Sequence, residues 1–266
     1  MALIIPLTGA DFDDNSLPVI ARDSLARVGS QVIFDFADAA CWPGGAPGAA
    51  DVVASLGPLD IYSGGFLASQ PGYNTGRMIF GGLSGSADAI QIVKAGASGV
   101  PFFPSGDGDY RDLLAIVWVS VTAYPASNAG VWGFGRSGGV YVGPGLQMTA
   151  SGLLQDKLSG GTTGITLVPG QMTQVALHVE YDEGAGTSQI TSYRNGMLVA
   201  TRSGANPATL IQDANSRAYL GGAAGNTSGL NGAVARFVVE YPSESGLNPE
   251  QRVSDDFATH RERLGA

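Results

Sequence analysis

Residues 173–202 read TQVALHVEYDEGAGTSQITSYRNGMLVATR, and two features of this stretch decide the fold. In its first part Val175, Leu177, Val179 and Tyr181 fall on one side of an extended chain, with Gln174, His178 and Glu180 on the other. A period of two marks a half-buried strand. A polar, Gly-rich connection then leads into residues 188–194, the dipeptide Asn195-Gly196, and an apolar return over residues 197–202. Asn-Gly between two β-rich runs specifies a tight hairpin, because both turn residues must adopt positive φ.

The same grammar extends outward. Ile116, Trp118, Ser120 and Thr122 alternate with Val117, Val119 and Val121, so both faces are largely apolar and the strand is covered on both sides. Residues 131–134 return antiparallel to it, Gly138-Gly139 turns into residues 140–142, and residues 230–241 supply a closing strand. Asn248-Pro249 opens a helix, with Asn248 as N-cap, Gln251 placed for a capping box, and Val253, Phe257 and Leu264 as its apolar stripe. Upstream, residues 31–36 alternate like a strand, and shorter strands are expected near 59–62, 77–80 and 89–93. Residues 1–27 read differently: a short apolar start, the acidic loop 11–15, and a helical pattern over 19–28. The expected organisation is an arm or docking segment over 1–27, anchored by Ile4, Ile5, Leu7 and Phe12, and one domain over 28–266.

The run 174–204, with its strand ending in Tyr-Asp and its later strand ending in Asn-Gly, resembles the central hairpins of concanavalin A-like (laminin-G-like) jelly rolls. Residues 113–135 resemble the family's earlier strand, loop and strand. Residues 216–265, with SRAYLGG, LNGAVARFVVEY and a terminal helix ending in Leu-Gly, resemble its ending. The likeness spans roughly the last 150 residues. It implies an all-β jelly-roll sandwich of two antiparallel sheets with a short C-terminal helix. The family hosts lectins, glycosidases, adhesion modules and virus structural proteins, so function has to come from the site. The opening TGADFDDNSLP and the Trp42-Pro43 loop are similar to phage proteins carrying this fold.

Composition narrows the classes. Forty glycines, 14 prolines and 14% charged residues suit many short strands joined by tight turns. A formal charge of −9 without clustered Lys or Arg argues against nucleic acid as partner. One cysteine, Cys41, rules out an internal disulfide and reads as a small packed side chain. The first seven residues lack a basic region before a hydrophobic core, and no run approaches a membrane span, so membrane insertion is not expected. Together with the resemblance, this leads to the expectation of a virion subunit made and assembled in a host cytoplasm: a capsid decoration, fibre or tail-associated protein. Its expected partners are other virion subunits and further copies of itself, through exchanged arms.

Candidate sites follow from residue chemistry. Exposed aromatics beside loops stack on sugar rings, which makes Trp42, Trp132 and Tyr141 candidates for a host surface glycan, although Trp42 beside Pro43-Gly44 also suits an anchor for its own loop. Asp107, Asp109 and Asp112 put three carboxylates in a Gly-containing loop of the kind hard cations favour, so Ca²⁺ is the one ion considered, and no other cofactor is expected. Glu180 and Asp182 share a strand face and are the nearest approach to a glycosidase carboxylate pair, but the alternating acidic pattern of the family's glucanases is not reproduced. Gly135-Arg136-Ser137-Gly138-Gly139 spells a nucleophile elbow, yet it falls in a strand-to-strand turn. Of the two histidines, His178 reads as facing the open side of its strand and His260 as lying on a solvated helix face, so no catalytic set is expected.

Overall fold

The structure, a computed structural model, describes residues 23–58, 62–84, 88–96, 110–136, 143–182, 184–205, 216–222 and 228–266. Sixteen strands and two helices lie within these segments. They run β1 (Ser30–Asp35), β2 (Val52–Ala54), β3 (Tyr62–Phe66), β4 (Gly72–Asn74), β5 (Arg77–Gly81), β6 (Ile90–Lys94), β7 (Tyr110–Val121) and β8 (Ala129–Arg136). There follow β9 (Gly145–Met148), β10 (Leu153–Asp156), β11 (Thr162–Thr166), β12 (Thr173–Asp182), β13 (Thr187–Arg194), β14 (Met197–Ala205), β15 (Ser216–Leu220) and β16 (Asn231–Glu240). Two helices close the chain, α1 (Pro242–Ser245) and α2 (Pro249–Leu264).

The strands form two eight-stranded antiparallel sheets, the expected all-β sandwich with a C-terminal helix. The first sheet is ordered β14-β13-β12-β7-β16-β5-β4, and β1 also pairs with β16. One edge of β16 is shared: β5 takes residues 231–234 and β1 takes residues 236–240. Where β16 meets β7 the register slips between Val234 and Arg236. The second sheet is ordered β11-β10-β9-β8-β15-β6-β3-β2. Trp132 of β8 reaches across the sandwich to Phe237 of β16, with ring centroids 6.0 Å apart. Val117, Val119, Leu177 and Val179 complete that interior from the first sheet.

The hairpin that organised the sequence forms as expected. Asn195 has φ 50° and Gly196 φ 80°, the paired positive values a two-residue turn needs. Gln174 ties the turn down: its carbonyl accepts from the Asn195 N–H at 3.0 Å, and its side-chain oxygen accepts from the Gly196 N–H at 2.8 Å. A second such turn, Thr75-Gly76 with φ 45° and 77°, joins β4 to β5 and carries no comparable sequence signal. Helix α2 begins where expected. The Asn248 side chain accepts from the N–H groups of Glu250 and Gln251 at 2.9 and 3.2 Å. The capping box is not completed, because the Gln251 amide bonds Asp255 at 2.7 Å instead.

Two expectations change. Residues 131–134 do not pair with β7 but lie in β8 of the second sheet. The helical pattern over 19–28 does not continue through its described part, where residues 23–28 form turns. The arm residues Ile4, Ile5, Leu7 and Phe12 lie outside the described residues. Cys41 is buried, and burial pushes its thiol pKa up to about 12. Among the described residues no helix is long and apolar enough to cross a membrane.

Candidate functional site

The outward face of the first sheet is organised in cross-strand rows, and the row under α2 carries a dense charge cluster. Register places Gln174, Trp118, Arg236 and Asp35 side by side on β12, β7, β16 and β1. Helix α2 lowers Asp256 onto this row. Its carboxylate accepts from the Trp118 indole at 2.7 Å, the Gln174 amide at 3.0 Å and the Arg236 Nε–H at 2.9 Å. Arg236 is fully buried and donates also to Asp23 at 2.6 Å and Asp35 at 3.1 Å. Phe257 stacks on Trp118 beside this junction, with ring centroids 5.7 Å apart and planes 12° from parallel. One turn away Arg252 donates to the buried Glu240 at 2.8 Å.

These contacts fix the charge states. Burial alone would raise the pKa of Asp256, but Arg236 and Arg252 outweigh it and hold the carboxyl below its ordinary value. Burial likewise opposes ionisation of Asp35, and the hydrogen bond from Arg263 with the charge of Arg236 reverses that. Arg236 is held protonated against burial by Asp256, Asp23 and Asp35. His260 is neutral: burial, reinforced by Arg236, lowers its pKa to about 4. Its Nδ1 lies 3.0 Å from the Arg263 guanidinium, which can only donate, so the ring proton sits on Nε2.

A cleft of about 560 Å³ opens beside this cluster, lined by Asp23, Asp35, Asp38, His260 and Arg263 among others. Asp23, Asp35 and His260 lie close enough to share a cation, with their donor atoms within 4.8 Å of one another. The donors are already committed. Arg236 bridges both carboxylates, and Arg263 binds Asp35 and His260, so a metal ion would meet two guanidinium charges. The arrangement is a clasp that locks α2 and residue 23 onto the sheet.

Toward the other end of the same face lies a largely polar shelf, buried at Leu114, Asp112, His178 and Thr191 and more exposed at Glu180, Asp182, Gln189 and Ser203. One row runs Leu114, His178, Thr191, Thr201; the next runs Asp112, Glu180, Gln189, Ser203; Asp182 and Thr187 begin a third. A pocket of about 410 Å³ lies over the last two rows, lined by Glu180, Tyr181, Asp182, Thr187, Ser188, Gln189 and Ser203. The Gln189 amide donates to Glu180 at 3.0 Å, and Asp182 accepts from the Ala185 N–H at 2.8 Å. Ser188, opposite Tyr181 in register, turns its buried hydroxyl to the inner face of the sheet, where it has no hydrogen-bond partner among the described residues. Asp112 and Glu180 stand directly opposite one another, an unfavourable pairing of like charges. His178 sits between them, Nε2 3.9 Å from Asp112 and Nδ1 3.8 Å from Glu180. The shelf offers carboxylate acceptors, hydroxyls that donate or accept, and one amide that does both.

The residues singled out from sequence mostly lie elsewhere. Trp132 is 1% exposed, because alternation along β8 turns it into the sandwich against Phe134 and Phe237. Trp42 is 3% exposed: its indole donates to the Gly45 carbonyl at 3.2 Å and its ring meets the edge of Phe66, so it anchors its own loop. Neither presents a stacking surface. Asp112 is buried within β7, where its carboxylate accepts from the Ser243 N–H at 3.0 Å and the Ser243 hydroxyl at 2.7 Å. It serves the first turn of α1 rather than an ion-binding loop. Tyr141, Asp107 and Asp109 lie outside the described residues, as does Ser137 of the apparent nucleophile elbow. His260 is buried, not solvated, because the carboxylate of Asp256 and the guanidinium of Arg263 close over the helix face it occupies. The clasp escaped sequence reading, since nothing local marks Asp23, Asp35 and Asp256 as neighbours. The shelf was partly legible, as the alternation of β12 had put Glu180 and Asp182 on one face.

By sequence the chain matches no protein-family model and no curated protein. By structure it is similar to Trypanosoma rangeli sialidase, including the enzyme in complex with sialic acid. That alignment has a TM-score of 0.58 and 14% identity, and covers 90% of this chain and 34% of the sialidase. The chain thus spans about a third of that enzyme. It is also similar to domain 4 of AbnA, a GH43 extracellular arabinanase from Geobacillus stearothermophilus, solved in complex with arabinotriose. Here the TM-score is 0.50 with 14% identity, covering 86% of this chain and 98% of that domain. At such identity the likeness is one of fold, a β-sandwich.

Proposed function

We propose that this chain is a non-enzymatic domain that binds carbohydrate in the polar pocket over β12, β13 and β14. The observation that carries the reading is the shelf itself: a stretch of sheet where two carboxylates, the Gln189 amide and the hydroxyls of Thr187 and Ser203 share one face at one pocket. Sugar hydroxyls are donors and acceptors in close array, and such a lining answers them directly. The arabinanase domain, which the chain matches over nearly its whole length, was solved with arabinotriose and lends support. Glu180 and Asp182 serve here as hydrogen-bond acceptors rather than as an acid and a nucleophile. The test is a broad glycan screen with and without Ca²⁺, followed by Glu180→Ala/Asp182→Ala on any hit. Binding that the double variant reduces at least tenfold is the expected result. A screen without a hit, or a hit indifferent to both residues, overturns the reading.

The setting we propose for this domain is a virion subunit of decoration, fibre or tail type, its arm joining it to the particle. Support for this part comes from the sequence alone, from the opening TGADFDDNSLP and the Trp42-Pro43 loop. Proteomics on density-gradient-purified particles from the source culture tests it. Recovery in fixed ratio to the major capsid protein is expected, and absence from the particle band with free protein in the lysate sinks it.

A further inference from the structure

The Asn195-Gly196 turn carries chemistry as well as geometry. A glycine after an asparagine has no Cβ to keep its backbone nitrogen from the asparagine side-chain carbonyl carbon, which is the approach that closes a succinimide ring. Here Gln174 holds both reactants. Its N–H donates to the Asn195 side-chain oxygen at 3.0 Å, and its carbonyl accepts from the Asn195 N–H at 3.0 Å. Its side-chain oxygen accepts at 2.8 Å from the Gly196 N–H, the nitrogen that attacks. Helix α2 fixes the other end of the same side chain, because the Gln174 Nε2 hydrogens go to the Val253 carbonyl and the Asp256 carboxylate, each at 3.0 Å. Phe257 closes over the turn, so that a Cβ placed on Gly196 would lie 3.2 Å from its own. Water is not kept away: a cleft of about 500 Å³, lined by Gly196, Asn248, Glu250, Gln251 and Ser254, opens beside the turn. Protection of this pair therefore rests on restraint and not on dryness.

We infer that Asn195-Gly196 is a self-modification site, held shut by Gln174 and α2 and made reactive when the helix lifts. Ring closure bonds the Gly196 nitrogen to Asn195 Cγ and breaks the bond from Cγ to Nδ2, and the Gly196 proton leaves with Nδ2 as ammonia. Water then opens the succinimide at either carbonyl, leaving aspartate or isoaspartate and returning a proton to the nitrogen. The reaction needs the Gly196 N–H released and the turn free to rotate, and both follow once α2 lets go of the Gln174 side chain. Isoaspartate runs the main chain through Cβ and Cγ, so the two-residue turn cannot re-form and the opening becomes permanent. The chain's other Asn-Gly pair, Asn231-Gly232, supplies the contrast. It lies in β16, where Gly232 is buried and pairs with Phe80 of β5 and Val121 of β7, so it comes free only when the sheet does.

The experiment incubates the full-length protein at neutral pH, folded and unfolded in urea, and follows both asparagines by mass spectrometry of proteolytic peptides, with aspartate and isoaspartate separated chromatographically. Folded protein should modify Asn195 at least about tenfold more slowly than the unfolded chain. Two variants open the guard from its two sides: Gln174→Met removes the side-chain bonds at similar volume, and Phe257→Ala loosens the helix over the turn. Each should speed modification of Asn195 at least about tenfold while Asn231 stays at its folded rate. Equal rates at Asn195 in folded and unfolded protein overturn the guard. A parallel rise at Asn195 and Asn231 assigns the reaction to global unfolding and overturns the gating by α2. A rise in Gln174→Met alone likewise removes the helix from the device, a rise in Phe257→Ala alone removes Gln174, and no rise in either variant overturns the inference as a whole.

Discussion

At the scale of single residues, Asp256 does the most. It is fully buried, yet it stays ionised because the charges of Arg236 and Arg252 outweigh burial, and one side chain from each of β12, β7 and β16 donates to it. Removing one partner of a buried ionic network strands the others, and Asp256→Ala should cost about 3–5 kcal/mol, read as a lower urea midpoint at unchanged slope. Acid should attack the same cluster. His260, with its pKa lowered to about 4, takes up a proton in the unfolded chain before it does so in the folded one. Stability is therefore full above pH 6.5 and declines as pH falls toward 4. Asp35 and Asp256, lowered from 3.8, extend the loss as pH falls further through their folded values. Melting temperature against pH should show both phases, and His260→Gln should flatten the first. A curve that stays steep between pH 6.5 and 4 in that variant would assign the loss to other groups. None of this was legible in sequence. Asp23 and Arg236 stand 213 residues apart, and only the folded register joins them.

At the scale of elements, what the sequence announced was what local chemistry dictates. The alternation of β12, the doubly apolar β7, the Asn195-Gly196 turn and the Asn248 cap all formed where expected. Strands of three to five residues such as β2, β4, β9, β10 and β11 did not declare themselves, since so short a run completes too few alternations to stand out. One element has an open consequence. Strand β14 pairs only with β13 among the described residues, and Met197, Leu198 and Val199 are 69%, 51% and 41% exposed. An apolar edge without Pro or an outward charge is a template for another strand. If copies of this chain associate, as the sequence led us to expect, this edge is where they should pair. Leu198→Lys with Val199→Lys should then shift sedimentation velocity toward monomer at unchanged far-UV circular dichroism. Association untouched by both lysines would place the contact elsewhere.

At the scale of the whole molecule, the clasp draws on residues from the segment read in sequence as an arm. Residue 27 looked like the seam by composition, but Asp23 already bonds Arg236 and Ala26 is buried. A truncation removing 1–27 should therefore be less stable than one removing 1–22, by about 1–3 kcal/mol for the lost partner of a buried charge. Equal denaturation curves for the two truncations would show that the Asp23 contact is dispensable.

The placing of the aromatic side chains has a practical corollary. The three tryptophans occupy three separate compartments: Trp42 in its loop, Trp132 between the sheets, and Trp118 beneath α2. Indole emission shifts to the red when water reaches the ring, so each can serve as a built-in lamp for its own compartment. A protein keeping only Trp118 would brighten or dim when the terminal helix lifts, before the sandwich itself comes apart. One keeping only Trp132 would stay silent until the sheets separate. Opening of the helix and global unfolding could thus be watched independently, with no label attached.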